Sequence, residues 1–483
     1  MAKKLSVVLS MLMIFSMLLS ACGAPTAAPT AAPTEEQPVA TEEVAATEEA
    51  PAATEEPSTN PNAVEIRWFI GLGAGGNTEE VEKEEAFVAL FNEKYGDRYH
   101  LVLDVVQNTT AYDVLKTQIA SGDAPDIVGP VGVRGIYSFE GAWLDLTPYI
   151  EKYNYDLEDF NPTLVKFYQF ENQGQVGLPF AVYPSALWYN KDLFDEAGLE
   201  YPPHEWGAPY ADGDEWTYEK LQELAIELTV DADGNTPNDK EFDPENIQQF
   251  GYHPLWTDIR GQWTFFGASS FVGDDGNAAM PEVWREAAHW YYDGIWKYHF
   301  IPNDNYVNSD LLAQGNTFSS GKVAMSPIHT WYTCCAAETS WDVAAIPSYN
   351  DNLTAKMHAD TFVIPAAAKN KEAAFEVLSL MLGEFAPDLL SVYNGFPARA
   401  SLQDKALASM AEKFPEADLN VFVDALSYAD IPNHESGMPN FLKASDRYTT
   451  FGSLYQSTPD LDLDKEIDTL IKDLDLIFKE TDK

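Results

Sequence analysis

Val64 to Ile70 is an apolar-rich run of strand length that ends in Gly71-Leu72-Gly73-Ala74-Gly75-Gly76, a loop whose backbone is free to approach a ligand. Val81, Phe87, Val88, Phe91 and Tyr95 then recur at helical spacing up to Gly96, with Asn77 and Glu80 placed as in a capping box. Tyr99, Leu101, Leu103 and Val105 alternate like a strand. Tyr112, Leu115, Gln118 and Ile119 share a helix face that stops at Ser121-Gly122, and Asp126-Ile127-Val128 reads as a third, short strand. This strand-helix order predicts a parallel sheet in an α/β fold, with ligand chemistry at the strand carboxyl ends, in the loops 71–76 and 129–134. Far downstream, Ile467, Leu470, Ile471, Leu474 and Phe478 predict a closing amphipathic helix.

The start of the chain follows a different pattern. Lys3 and Lys4 precede an apolar run from Leu5 to Leu19 that is short for a membrane span, and small residues follow. Leu19-Ser20-Ala21-Cys22 resembles a bacterial lipobox, which implies removal of residues 1–21 as a signal peptide and acylation of Cys22. From Gly23 to Asn62 the chain is almost entirely Ala, Pro, Thr and Glu, with no Lys or Arg and acidic pairs such as Glu35-Glu36 and Glu48-Glu49. Too little apolar surface is present to offset the entropy of ordering, so residues 22–62 are expected to form a solvated linker. At about 3 Å per residue such a linker holds a folded body several tens of Å from the membrane.

Charge and composition narrow the function. Lys and Arg number 29 against 77 Asp and Glu, a formal charge of −48, which argues against nucleic acid or an anionic membrane surface as partner. Aromatics are abundant (12 Trp, 24 Tyr, 26 Phe), and beyond Cys22 only Cys334 and Cys335 remain, so the fold rests on its cores. The glycine cluster lacks both the G-x-G-x-x-G context of a dinucleotide site and the Gly-Lys-Ser/Thr of a phosphate loop. No Gly-x-Ser-x-Gly, His-Glu-x-x-His or zinc-spaced His/Cys set occurs; the eight histidines, among them His253, His289, His299, His329, His358 and His434, are scattered, and no two carboxylates stand out as a glycosidase pair.

The middle of the chain carries a resemblance. Leu178-Pro179-Phe180 leads into Leu187-Trp188-Tyr189-Asn190-Lys191-Asp192-Leu193-Phe194, then Glu196-Ala197-Gly198 and Pro202-Pro203. Trp216-Thr217-Tyr218, Phe318 to Met325 with Trp331, Trp341 to Pro347, Phe362-Val363-Ile364-Pro365 and Lys369 to Ala374 follow in order. Ser121 to Asp126 and Leu144 to Tyr149 precede them. Together these resemble the extracellular solute-binding proteins of ABC importers, in the sugar-binding group that includes maltodextrin-binding proteins, over about Ile66 to Arg399. The resemblance implies two α/β lobes joined by three crossings and closing over a solute in a central cleft. On that basis lobe 1 is expected at 63–182 and 326–365, and lobe 2 at 183–325 and 366–483. The partners it implies are a small solute, a carbohydrate by family, and the permease subunits. Membrane contact is through the anchor only, on the outer face of the cell membrane, and the protein is expected to be a monomer without catalysis.

Sugars offer apolar C–H faces and rings of hydroxyls, so a site needs flat rings and planar polar groups. By family position Trp331 is the leading ligand candidate, with His329 beside it; packing of the hinge is the other reading. Tyr183, Trp256 and Trp263 follow, each equally compatible with core packing. Asp360 could accept two hydroxyl bonds, Arg399 fits either ligand contact or an inter-lobe ion pair, and Arg134 follows the third strand. Adjacent Cys334 and Cys335 are compatible with a vicinal disulfide or with two thiols. Asp231, Asp233, Asn235 and Asp239 have the spacing of a calcium loop, but Phe242 stands where its bidentate Glu belongs, so calcium and a solvated acidic turn both stay open. Other polar solutes (peptide, polyamine, polyol) or a cell-surface glycoside-active enzyme are the alternatives.

Overall fold

A computed structural model describes residues 60–170, 172–334 and 340–480, all within one unit, Ser58–Lys483; the side chain of Cys334 is not described. The signal segment, Cys22, most of the linker and Cys335 therefore lie outside the described residues.

Three parallel strands form, β1 (Val64–Ile70) and β2 (Tyr99–Val105) as read and β3 (Ile127–Gly132) longer than expected, running into the segment 129–134 that was expected to be a loop, with β1 parallel to both others. Between them run α1 (Thr78–Tyr95) and α2 (Asn108–Ser121), and α3 (Val133–Tyr137) starts directly after β3. At the α1 start only half of the expected capping box exists. Asn77 Oδ1 accepts the Glu80 N–H at 2.9 Å, but the Glu80 carboxylate turns to the Gly75 N–H, also at 2.9 Å. Gly71 takes a φ of +135°, and a Cβ there would collide with the Val106 carbonyl oxygen.

The strand that organises the molecule is β4 (Gly177–Asn190), fourteen residues long and buried throughout. Such an uninterrupted apolar run fits a strand covered on both faces. After it come β5 (Val230–Asp231), β6 (Ile247–Tyr252), α4 (Ile259–Trp263), α5 (Glu282–Trp296), β7 (Val323–His329), β8 (Trp341–Ala344) and β9 (Met357–Val363). Then follow α6 (Lys371–Met381), α7 (Ala386–Tyr393), β10 (Phe396–Pro397), α8 (Phe441–Ser457) and α9 (Leu463–Phe478), the last being the predicted closing helix. These strands make one mixed sheet in the order β2-β1-β3-β9-β4-β7-β6-β5, with β8 and β10 also on β4. The first half of β4, Gly177 to Pro184, pairs with β9; its second half, Ser185 to Tyr189, pairs with β7. β4 is thus a crossing from one lobe to the other, at the place the Leu-Pro-Phe run predicted.

The lobe boundaries differ from expectation in two places. β8 pairs with residues Leu187 to Asn190 of β4, so the chain stays with the second lobe past residue 326 and returns to the first only at β9. α6 and α7 belong to the first lobe: Phe375, Leu378, Met381 and Phe385 pack in one core with Trp68, Phe87, Phe91, Leu101 and Phe362. Helical periodicity marks which face of α6 is buried but not which sheet it covers. The second lobe is filled by aromatics, Tyr218, Trp263, Phe266, Trp284, Tyr291 and Phe451, in a core continuous with Phe69, Val128 and Trp143 of the first lobe.

Candidate functional site

Where the lobes meet, the carboxyl ends of β1 and β3 face the middle of β4 and β9. His358 and Asp360 are two residues apart on β9 and so point to the same face. Asp360 lies opposite Gly132 of β3 and Ala181 of β4, and His358 lies opposite Tyr183. His358, Asp360, Gly132 and Tyr183 line a cavity of about 410 Å³ together with Glu80, Tyr112, Arg134, Trp331, Tyr393, Asn394 and Glu435. The segments 71–76 and 129–134, read from sequence as ligand-facing loops, contribute Leu72, Gly73, Ala74 and Gly132 to the same wall, the second as the end of β3 and the start of α3 instead of a loop.

One flank is aromatic. Trp331, half-buried just past β7, has its ring 5.0 Å from that of Trp256, which in turn is 5.2 Å from Tyr332. Trp256 is 43% exposed and holds a φ of +46°. A non-glycine residue in that conformation costs about 1–3 kcal/mol, which core packing does not recover for an exposed ring. Trp256 also lines a second cavity of about 200 Å³ with His253, Gln262, Asp304 and Tyr455, so the tryptophan pair joins the two spaces.

The opposite flank is anionic. Burial pushes the Asp360 carboxyl up to about 7, with the Glu435 charge adding and a hydrogen bond from Tyr183 opposing. Glu435 reaches across to the first lobe, where its Oε2 accepts the Arg134 backbone N–H at 3.4 Å. Burial, with the neighbouring His434 and Lys356, holds His358 well below the ordinary imidazole range, so it faces the cavity neutral. Behind the wall, Glu84 of α1 is fully buried and accepts a bond from the Tyr393 hydroxyl at 2.8 Å. A wider groove of about 810 Å³ beside α7 is lined by Ser391, Leu402, Lys405 and Lys413, with a single ring, Phe414.

Several expected site residues lie elsewhere. Trp263 is fully buried between Phe271, Trp284 and Phe451, a core residue of the second lobe. His329 is fully buried behind Trp331 and lines none of these cavities. Arg399 is held by the Leu382 carbonyl at 2.8 Å, Tyr155 at 2.7 Å and Asp159 at 3.2 Å, and its guanidinium lies over Phe160, so it ties a loop to the first lobe. The Asp231 carboxylate is occupied by its own turn: Oδ1 accepts from the Asp233 and Asn235 N–H groups, and Oδ2 from Asp243 N–H and the Asn235 amide. Asp239 caps Thr236 instead of turning toward it. Conversely, Glu80, Tyr112, His358, Tyr393, Asn394 and Glu435 line the cavity without having been singled out. The period-two relation to Asp360 could have flagged His358; nothing local flags Glu435.

With this cleft in place, the family model of the bacterial extracellular solute-binding proteins matches residues 75–384. The chain belongs to that family. This extracellular solute-binding protein is also similar to solved structures across the whole described body. An ABC substrate-binding protein from Listeria monocytogenes in complex with cycloalternan is 22% identical, with a TM-score of 0.63, covering 85% of this chain and 99% of that one. The cyclic α-maltosyl-1,6-maltose binding protein from Arthrobacter globiformis is 17% identical with a TM-score of 0.66, covering 86% and 99%. The sugar-binding protein MalE from Xanthomonas citri is 17% identical with a TM-score of 0.64, covering 86% and 97%. A curated binding protein of Brucella abortus (strain 2308) is 27% identical over 212 residues, 42% of this chain and 46% of that protein. The solute-binding protein thus spans about half the length of the curated relatives it matches. Proteins of this family bind solutes and are not enzymes, and no helix among the described residues is long and apolar enough to cross a membrane.

Proposed function

We propose that the chain is a lipid-anchored receptor of an ABC importer that binds a carbohydrate, an oligosaccharide, between its lobes and delivers it to the permease unaltered. The observation that carries this reading is a cavity in which Trp331 faces a polar wall of Asp360, Glu435, Arg134 and Tyr183, with the Trp331 ring meeting Trp256 of the adjoining cavity to make a tryptophan platform. Flat rings suit sugar C–H faces, and carboxylates and phenols suit hydroxyls. Of the solved proteins with the same fold, one is in complex with cycloalternan, one is named for binding cyclic α-maltosyl-1,6-maltose and one is named a sugar-binding protein, which favours this class. The anchor rests on Cys22 and its flanking residues, and the protein acts as a monomer at the outer face of the cell membrane.

One observation favours a second reading. Glu80, Asp360 and Glu435 outnumber Arg134 in the cavity, a balance that also fits a polar solute bearing a basic nitrogen. Thermal shift against neutral oligosaccharides, amino sugars and polyamines separates the two. A neutral oligosaccharide that raises the melting temperature and is recovered intact supports the first reading, because a ligand of the native state stabilises it by mass action. Stabilisation by polyamines alone, or release of shorter sugars, would displace it.

A further inference from the structure

The cleft floor carries a group of imidazoles that the sugar reading does not use, beside the Glu435 of its polar wall. Three imidazoles stack behind Trp331: the His329 and His358 ring centroids are 3.8 Å apart with planes 17° apart, and those of His358 and His434 are 5.4 Å and 23° apart. Among the described residues, His358, His434 and Glu435 are the one histidine and carboxylate group whose ligand atoms gather within 4.8 Å of one another.

The surroundings orient these groups. His434 Nδ1 stands 2.7 Å from Asp430 Oδ2, and Asp430 is fully buried. The Asp430 carboxylate also accepts the Met357 and His434 backbone N–H groups and the Asn433 amide. A carboxylate so held keeps the His434 proton on Nδ1 and leaves the Nε2 lone pair free, the arrangement that stands behind metal-bound imidazoles. Glu435 Oε1 is 3.8 Å from His358 Nε2. Independently, His329 is fully buried against the His358 ring with neither of its nitrogens hydrogen-bonded among the described residues, and the Lys356 ammonium beside the stack is likewise buried and unpartnered. A packed protein that leaves two such groups unsatisfied in one place marks a polar site. The charges facing it are Asp258, Asp360, Asp430 and Glu435 against Lys356 and Arg134, a balance that favours a cation.

We infer that His358, His434 and Glu435 bind one divalent transition ion of the zinc class at the cleft floor, with two nitrogens and one oxygen from the protein and the fourth position open to the cavity. Imidazole ligands select zinc, nickel or copper over calcium and magnesium, which need oxygen cages. Ligand atoms around a tetrahedral zinc stand about 3.3 Å apart, so rotation of the part-exposed Glu435 and His358 side chains by about 1 Å closes the site. His358 and Glu435 already line the cavity, so an ion there meets the solute directly and ties β9 to the 433–435 loop.

The test uses the full chain, stripped by a chelator and titrated calorimetrically with zinc chloride in excess magnesium, which occupies the surface carboxylates. One saturable zinc site is expected, with a rise in melting temperature; His358→Gln and His434→Gln each abolish it, and Asp430→Asn weakens it about 10–100-fold. Should those variants fail to fold, cobalt(II) bound to the unmodified chain gives the intense visible bands of a four-coordinate centre. No saturable uptake of zinc in magnesium, or uptake unchanged in the double His358→Gln, His434→Gln variant, overturns the inference. No sugar enters this experiment, so its outcome is separate from that of the carbohydrate reading.

Discussion

Trp256 and Trp263 lie seven residues apart, and nothing in their local sequence separates them, yet they do opposite things. Trp263, on α4, is enclosed by Phe271, Trp284 and Phe451 and makes second-lobe core. Trp256 sits just before α4, exposed and left-handed, with its ring against Trp331 at the cleft. The difference teaches that an aromatic residue near a binding cleft is assigned by what encloses it and by its backbone conformation. Residue type and family position do not suffice.

The sharpest way to break that contrast is truncation of both rings. Trp263→Ala is expected to lower the unfolding free energy by about 3–5 kcal/mol in urea denaturation, while Trp256→Ala stays within about 0.5 kcal/mol. Comparable losses for both would erase the distinction. Arg399 extends the contrast to the polar candidates. Arg399→Ala should cost about 1–3 kcal/mol of stability by leaving the Leu382 carbonyl without its side-chain donor and Asp159 without its counter-ion, with solute affinity unchanged in the surviving folded fraction. Trp331→Ala is the converse: a loss of about 1–2 kcal/mol in binding, roughly tenfold in Kd, with stability nearly kept.

The smallest effect is in pH. Glu84, raised to about 7 by burial and the Glu80 charge against the Tyr393 hydrogen bond, keeps its proton more tightly folded than unfolded. Between the unfolded carboxyl range near 4 and about 7 the native state binds more protons, so stability falls as pH rises through that window. Glu84→Gln should flatten this slope in melting temperatures measured from pH 4 to 8. It should not abolish it, because Asp360 titrates in the same direction.

Much of the fold was legible. β1, β2 and β3 followed from period-two and period-3.6 patterns, because each element buries a single face or stripe against its neighbours. The crossing strand β4 was legible as an unbroken apolar run with a familiar sequence. What the chain did not disclose are the long-range choices: α6 and α7 covering the first sheet, Glu84 buried in an otherwise ordinary amphipathic helix, and Glu435 arriving beside His358 from a distant loop. Each is set by packing between segments remote in sequence, which leaves no local period. Of the candidate site, Trp331, Tyr183, Asp360 and Arg134 do line the cavity, whereas His329, Trp263 and Arg399 are in neighbouring cores and ties.

The most direct measurement is calorimetric titration of the unmodified chain and of Trp331→Ala with a panel of glucose oligosaccharides. Saturable one-to-one binding by the unmodified chain, weakened about tenfold in Trp331→Ala, is the expected result. Absence of binding to any carbohydrate, or equal affinity in the two proteins, would contradict a sugar receptor built on the Trp331 platform.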